Sequence, residues 1–187
     1  MTDPVAPFFE TARLRVRAFT DTDVAAFVAY RADPEVARYQ SWSDFGEAEG
    51  RALVASMQGL EPGTPGEWYQ LALEATDDGL LVGDLALHVD GDDPRLAEVG
   101  FTLAPAAQGR GYAAEALTGL LDHAFPTYGL HRVHAVTDAL NAPAAALLER
   151  VGFRREAHYL ENVWFKGAWG SEYLFAVLEH EWADRRS

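Results

Sequence analysis

The sequence predicts one mixed α/β domain of the α+β type, with helices flanking a mixed, mostly antiparallel sheet of about seven strands. Three observations favour this fold class. The chain has 187 residues, 49% of them hydrophobic, which suits one core and is short for two. Its segments change between the helical period and the period of two that strands have. Short turns rich in Asp and Gly separate three consecutive strand segments and indicate antiparallel neighbours.

The first half of the chain is predicted to contain one strand followed by helices. Residues 12–19 alternate apolar and polar side chains, as a half-buried strand does. A helix is expected to begin at Thr20 or Asp21, since both residues are suitable N-caps, and Pro34 starts a second short helix. Residues 47–60 have the pattern of a further helix.

The second half of the chain alternates strands and helices after a loop rich in Pro and Gly at residues 61–67. In chain order we predict strands over 68–76, 80–89 and 96–104, a helix within 105–125, a strand over 132–139, a helix over 141–152, and strands near 153–165 and 171–179. The domain is predicted over residues 10–182, between an N-terminal tail of residues 1–9 and a C-terminal tail of residues 183–187.

Charge and composition exclude several classes of protein. The formal net charge of −14 argues against non-specific binding to nucleic acid or to an anionic membrane, and it slightly favours cationic substrates. The absence of cysteine excludes disulfides and thiol nucleophiles. The N-terminus lacks the features of a signal peptide, and no stretch approaches the ~18 apolar residues of a membrane span. We therefore expect a cytoplasmic protein.

Residues 108–113, Gln-Gly-Arg-Gly-Tyr-Ala, are the most informative segment, because they put two glycines at the expected start of a helix. A glycine inside a helix costs about 1 kcal/mol relative to alanine, so the pair needs compensation. Close approach of an anion to the main-chain N–H groups would supply it, with Arg110 adding charge and Gln108 a polar side chain. The sequence predicts a phosphate site here. The structural alternative is a glycine-rich helix entry that packs under a loop.

A dinucleotide site is a weaker interpretation of the same segment. Gly109, Gly111 and Ala114 satisfy the pattern G-x-G-x-x-A. That pattern normally follows the first strand of a parallel βαβ unit, whereas this segment follows antiparallel strands late in the chain. The context therefore disfavours dinucleotide binding.

Residues 108–113 resemble the Q/R-x-x-G-x-G/A acyl-CoA motif of the GCN5-related N-acetyltransferase (GNAT) superfamily. The chain also resembles the RimJ/RimL-type branch of that superfamily in five ordered segments that cover about residues 10–182. These segments are TARLRVRAF, DPEVARY, AEVGFTLAPAAQGRGYAAEAL, HRVHAVTDALNAPAAALLERVGFRRE and ENVWFKGAWGSEYLFAVLEHEW.

The resemblance implies that the strands on either side of the motif helix splay apart and leave a groove for acetyl-CoA. The pyrophosphate would contact the main-chain N–H groups of residues 109–113, and the pantetheine arm would bond to the preceding strand like a further strand. Asn141 stands where the family has an asparagine that contacts the cofactor near its sulfur, and it is also a candidate N-cap. No metal is expected. The implied cofactor-binding residues are Phe101, Thr102, Leu103, Gln108, Gly109, Arg110, Gly111, Tyr112, Ala113 and Asn141.

Glu98 is the candidate catalytic base, because acetyl transfer to an amine requires removal of a proton from that amine. It lies in an apolar strand segment, where strand alternation puts it on the same face as Gly100 and Thr102. The structural alternative is an outward-facing carboxylate on a half-solvated strand. Resemblance to the family's A-E-x-G-F/Y segment favours the catalytic role.

The sequence leaves the roles of several further residues undecided. Asp84 and His88 alternate on the neighbouring strand and could flank Glu98 in a substrate pocket or a water relay. Leu148 and Ala144 stand where the family often has a tyrosine acid and a serine. The general acid is thus undecided between unaided thiolate departure, water and Tyr159. Four other histidines are expected to be ordinary surface or core residues: His123, His131, His134 and His158.

The function that follows from the resemblance is acetyl-CoA-dependent N-acetylation of a primary amine, on a protein N-terminus or a small molecule, by direct attack in a ternary complex. An acyl-CoA-binding module without transferase activity is the alternative. The domain could be a monomer or a homodimer. Six aromatic residues are candidates for lining the acceptor pocket: Trp42, Phe45, Trp68, Tyr69, Tyr159 and Trp164.

Overall fold

The computed structural model describes residues 5–186, which form one eight-stranded sheet and six α-helices. The strands are β1 (Pro7–Glu10), β2 (Leu14–Arg17), β3 (Trp68–Ala75), β4 (Leu81–Val89), β5 (Leu96–Leu103), β6 (Arg132–Asp138), β7 (Arg154–Phe165) and β8 (Ala168–Leu178). The helices are α1 (Val24–Arg31), α2 (Pro34–Ala37), α3 (Glu47–Ser56), α4 (Tyr112–Tyr128), α5 (Ala142–Val151) and α6 (Glu179–Arg186).

The strands lie in the order β1-β2-β3-β4-β5-β6-β8-β7, and every neighbouring pair except β5 and β6 is antiparallel. The predicted fold class is confirmed, with eight strands instead of about seven. Strands β5 and β6 pair only over Leu96↔Arg132, Ala97↔Val133 and Glu98↔His134. Beyond Glu98 the two strands have no paired residues, so the centre of the sheet is splayed, as the family resemblance implied.

Strand β1 lies almost wholly inside the predicted N-terminal tail. Three of its four residues, Pro7, Phe9 and Glu10, pair with β2, and Phe9 stacks on His123 of α4 at 5.1 Å between ring centroids. Gly119 permits this packing, because a Cβ there would lie 3.0 Å from the Phe9 ring. An edge strand of four residues that begins with proline shows too little alternation to be recognised in the sequence.

The C-terminal helix α6 likewise extends into the predicted C-terminal tail, as far as Arg186. Asp122 of α4 fixes it by accepting hydrogen bonds from Trp182 Nε1 (2.9 Å) and Arg186 Nη2 (2.8 Å). Ordered structure therefore reaches both ends of the described region.

Two layers of helices cover the sheet. Helix α4 packs against β1, β2 and β5 on one face, with α5 beside it. Helix α1 packs on the opposite face, where Tyr30 and Arg31 bond to Asp84 of β4. Strand alternation turns Ala97 and Val99 towards the apolar core. Within residues 5–186, no helix combines the length and the apolar character needed to span a membrane.

Candidate active site

The glycine segment lies just before helix α4 and not in its first turn, so the predicted helix start is corrected. A short 3-10 turn covers Pro105–Ala107, and α4 begins only at Tyr112. Gly109 has φ +71° and Gly111, the N-cap, has φ +83°. These left-handed conformations exclude an α-helix and favour glycine. The two glycines thus shape a loop that leads into the helix.

The main-chain N–H groups of residues 109–114 donate no hydrogen bond to any other part of the described chain. Free N–H groups at a helix N-terminus, together with the helix dipole, form an anion site. A Cβ built on Gly109 would meet no atom within 4 Å, so a ligand can approach the main chain there. Residues 109–114, which we call the phosphate cradle, fit the diphosphate of coenzyme A.

Two residues of the turn between β1 and β2, Thr11 and Arg13, hold the phosphate cradle in place through Glu115. Glu115 Oε1 accepts hydrogen bonds from Thr11 Oγ1 (2.6 Å) and Arg13 N (2.7 Å), and Arg13 Nη1 donates to the carbonyl oxygen of Arg110 (3.0 Å). Burial would raise the pKa of Glu115, but the hydrogen bonds from Thr11 and Arg13 outweigh it and lower that pKa. Sequence reasoning missed this anchor, because its partners lie about 100 residues apart in the chain.

The side chains of three predicted cofactor-binding residues, Gln108, Arg110 and Tyr112, contact other groups of the protein. Gln108 Nε2 donates to the carbonyl oxygen of Leu103 (3.2 Å). The Tyr112 ring is buried, with the guanidinium groups of Arg13 and Arg110 over it at 4.6 and 5.0 Å. Tyr112 and Ala113 therefore offer the cradle their main-chain N–H groups.

Strand β5 turns alternate main-chain groups towards the groove between β5 and β6. Hydrogen bonds from Asp90 N to Leu96 O and from Ala104 N to Val82 O fix which residues of β5 bond to β4. In that register the main chain of Thr102 faces Asp84 of β4. Of Phe101, Thr102 and Leu103, all predicted to contact the cofactor, Phe101 and Leu103 therefore turn their main-chain N–H and C=O groups to the groove, and Thr102 turns its own to β4.

Asn141 is the N-cap of helix α5, as its structural alternative predicted. Its Oδ1 accepts a hydrogen bond from Ala144 N at 3.2 Å. The Nδ2 group donates no hydrogen bond within residues 5–186, so it is available to a ligand. The two predicted roles of Asn141 are compatible in this geometry.

Glu98 lies where β5 and β6 diverge. It is the last residue of β5 that pairs with β6, where its partner is His134, and its partner on β4 is His88. Glu98 Oε2 is 3.5 Å from His134 Nε2, and the two side chains are 33% and 29% exposed. Sequence reasoning treated His134 as an ordinary histidine, because the parallel register that brings it to Glu98 cannot be read from the chain.

Asp84 shares the face of Glu98 but is not available to a substrate. Its side chain is 2% exposed, and its two oxygens accept hydrogen bonds from Tyr30 Oη (2.5 Å) and Arg31 Nη2 (2.7 Å). Both oxygens of Asp84, for which a substrate pocket or a water relay was left open, are therefore used in holding α1 on the sheet. His88 stays on the open part of this face, where Trp68 stacks on it at 5.0 Å between ring centroids.

The structure offers no acid at the two positions where the family often has one. Leu148 is buried in the core, and Ala144 contributes its N–H to the cap of α5. Tyr159 is 43% exposed and lies opposite Glu172 on the β7–β8 hairpin.

The six candidate aromatic residues do not form one pocket. Trp42 and Phe45 lie against the Arg31 guanidinium, at 4.0 and 5.2 Å from its Cζ to their ring centroids. Tyr69 is buried beside Phe8, because strand alternation turns it to the face opposite Trp68. Trp164 packs edge to face on Trp169 at the exposed end of β7 and β8. Trp68 is the residue of this set that lies near Glu98, because it pairs with His88, which in turn pairs with Glu98.

A metal site is not among the features of the described chain, since no group of three or more His, Asp or Glu side chains in residues 5–186 could hold an ion. A cavity of about 300 Å³ between α3, β1 and β3 is lined by Tyr69, but by none of the predicted catalytic or cofactor-binding residues. The candidate active site is therefore the open groove from Glu98 to the phosphate cradle.

The comparisons with known proteins identify the family. The acetyltransferase (GNAT) domain family matches residues 13–154. The chain is 29% identical over 172 residues to the uncharacterized N-acetyltransferase YnaD of Bacillus subtilis, covering 92% of this chain and 97% of YnaD. A GNAT-family acetyltransferase from Bacillus anthracis matches with a TM-score of 0.82 and 27% identity, over 91% of this chain and 98% of that chain.

A second solved structure is a RimJ protein with a coenzyme A derivative bound, so it concerns both the RimJ/RimL-type branch and the cosubstrate. Mycobacterium smegmatis RimJ, in complex with CoA-disulfide, matches with a TM-score of 0.78 and 26% identity, over 90% of this chain and 83% of that chain. The resemblance to RimJ-type proteins is thereby confirmed. This chain belongs to the GNAT family of acetyl-CoA-dependent N-acetyltransferases.

Proposed function

We propose that the protein transfers the acetyl group of acetyl-CoA to a primary amine, on a protein N-terminus or a small molecule, by direct attack in a ternary complex. The observation that carries the proposal is the arrangement of one groove. The phosphate cradle lies beyond the C-terminal end of β5, and Glu98 lies where β5 and β6 diverge. A single extended molecule can thus place its diphosphate on the cradle and its thioester near Glu98.

Glu98 is the proposed base. An acceptor amine enters largely as the ammonium ion and must lose a proton before it can attack. The carboxylate of Glu98 accepts that proton and passes it to solvent. The neighbouring His134, 3.5 Å away, is proposed to orient Glu98 and to assist in carrying the proton out of the groove. Both side chains are partly exposed, which gives the proton a route to water.

The transfer step needs no covalent enzyme intermediate. The amine nitrogen attacks the thioester carbonyl carbon, a C–N bond forms and the C–S bond breaks. The departing sulfur takes the proton that the nitrogen of the adduct gives up, so the products are an N-acetylated amine and the free thiol of coenzyme A. The main-chain N–H of Phe101, the first groove-facing N–H of β5 beyond its pairing with β6, would stabilise the carbonyl oxygen as charge develops on it.

The proposed role of Glu98 is tested by Glu98→Gln. We expect kcat to fall by roughly 100-fold, the lower end of general-base effects, while the Kd for acetyl-CoA stays unchanged. Turnover is measured as release of coenzyme A thiol with a panel of a polyamine, peptides with free N-termini and aminosugars. The matched control is Glu149→Gln, which removes an exposed carboxylate of α5 and should keep wild-type turnover.

The same panel tests the proposed reaction. Release of thiol that depends on an amine, together with a product heavier by one acetyl group, is the expected result. Wild-type kinetics for Glu98→Gln at every pH would reassign the base. Thiol release that no amine on the panel increases would contradict the proposed acceptor class.

A further inference from the structure

A second pocket, rich in arginine, adjoins the phosphate cradle. It has a volume of about 190 Å³ and lies where α4, α5 and α6 meet. We call it the arginine pocket, and its lining residues are Ala114, Thr118, Arg150, Val151, Trp182, Arg185 and Arg186. We propose that this pocket binds a phosphomonoester, the 3′-phosphate on the ribose of coenzyme A, and lets the enzyme distinguish coenzyme A from dephospho-coenzyme A.

The position of the pocket fits that ligand. Ala114 belongs to the phosphate cradle through its main-chain N–H and also lines the arginine pocket. Thr118 lies about one helical turn further along α4. A ribose connects the 5′-diphosphate of coenzyme A to its 3′-phosphate, so the two phosphate groups require neighbouring sites. The proposal rests on the proposed function in this one respect, that the diphosphate occupies the cradle.

The charge of the pocket is unusual for this protein. The chain as a whole carries a formal net charge of −14, yet three arginines converge here. Arg186 is paired with Asp122 at 2.8 Å. Arg150 and Arg185 make no ion pair or side-chain hydrogen bond within residues 5–186. Two guanidinium groups with free donors suit a phosphate dianion, which accepts several charge-assisted hydrogen bonds.

A purely structural role is also open to these arginines. Arg150 lies in the last turn of α5 and Arg185 in the last turn of α6, where a positive charge interacts favourably with the helix dipole. An interaction with the helix dipoles alone does not require Arg185 to lie as close to Gly152 as it does. A Cβ there would lie 2.5 Å from Arg185 Nε and 2.7 Å from Arg185 Cζ. Because Gly152 has no side chain, the Arg185 guanidinium lies directly against the end of α5. In this position it lines the arginine pocket.

The helix that supplies Arg185 and Arg186 lies outside residues 13–154, the region matched by the acetyltransferase family. The family match therefore says nothing about this part of the site. Helix α6 thus contributes to cosubstrate selection in addition to packing on α4.

The test compares two ligands that differ only in the 3′-phosphate. Isothermal titration gives the Kd of coenzyme A and of dephospho-coenzyme A for the full-length wild type and for the double variant Arg150→Ala/Arg185→Ala. We expect the wild type to bind coenzyme A about tenfold more tightly, which corresponds to about 1.4 kcal/mol. The double variant should bring this ratio close to one by weakening coenzyme A alone.

The matched control is Arg38→Ala/Arg51→Ala, which removes two exposed arginines far from the pocket in the chain and changes the net charge equally. It should keep the tenfold ratio. The single variant Arg150→Ala leaves α6 unchanged, so it serves if the loss of Arg185 disturbs that helix. Its ratio of the Kd of dephospho-coenzyme A to that of coenzyme A should also fall below the wild-type value.

Each outcome decides the proposal. A ratio of one in the wild type, or a ratio that survives in the double variant, overturns it. If the wild type binds both compounds tightly without preference, the arginine pocket is excluded while the proposed acetyl transfer stands. If the wild type binds neither compound, the phosphate cradle is excluded as well, and the proposed function fails with it.

Discussion

Gly111→Asp should abolish productive binding of acetyl-CoA, with a Kd raised at least about 100-fold and the fold intact. Gly111 is the N-cap of α4, and its N–H belongs to the phosphate cradle. A carboxylate at this position would lie beside the diphosphate. Two like charges 4 Å apart repel by roughly 4 kcal/mol at the effective dielectric of a protein surface, more than enough for this loss.

The matched control for that variant is Gly111→Asn. Asparagine and aspartate have nearly the same size and both tolerate the left-handed conformation that Gly111 adopts, with φ +83°. A Cβ at Gly111 would approach Arg13 Nη2 at 3.4 Å in both variants, so the steric effect is shared. The expected order of Kd is wild type, then Asn, then Asp well above both. Equal Kd values for Asn and Asp would show that charge at the cradle is unimportant.

The sequence predicted those parts of the site that depend on local pattern. Residues 108–113 predicted a helix N-terminus rich in glycine, although both glycines have φ above zero and lie just before the helix. The hairpin strands β3, β4 and β5 alternate clearly and have short turns. Strand alternation therefore predicted that Glu98 shares a sheet face with Gly100 and Thr102. The N-cap role of Asn141 has the same local origin.

Contacts between distant segments could not be predicted from the chain. The parallel register of β5 and β6, which brings His134 to Glu98, depends on how α4 crosses over the sheet. The anchor of Arg13 on Glu115 joins residues 102 positions apart. Asp84 was assigned to the correct strand, but its burial depends on α1 covering it. Local pattern therefore predicted that a glycine-rich segment adjoins a helix N-terminus, and tertiary packing decided which side chains reach the groove.

Helix α1 is held on the sheet by a buried ionic cluster. Asp84 and Arg31 have side chains that are 2% and 6% exposed, and their oxygen and nitrogen lie 2.7 Å apart. Burial, followed by the charge of the nearby Asp84 carboxylate, raises the pKa of Tyr30 well above its usual value, so its hydroxyl remains a donor to Asp84. The Arg31 guanidinium also lies over Phe27 and Trp42.

Asp84→Ala is expected to lower the free energy of unfolding by about 3–5 kcal/mol, the range for removing one partner of a buried ion pair. The loss would leave the Arg31 charge buried, with its Nε already lacking a hydrogen bond within the described chain. Urea denaturation measures the change. Adding Arg31→Met should recover part of the lost stability, because the uncompensated charge is then removed and an apolar side chain faces the rings of Phe27 and Trp42. Losses that simply add in the double variant would show that the two residues stabilise the fold independently, and that α1 is held by its apolar contacts alone.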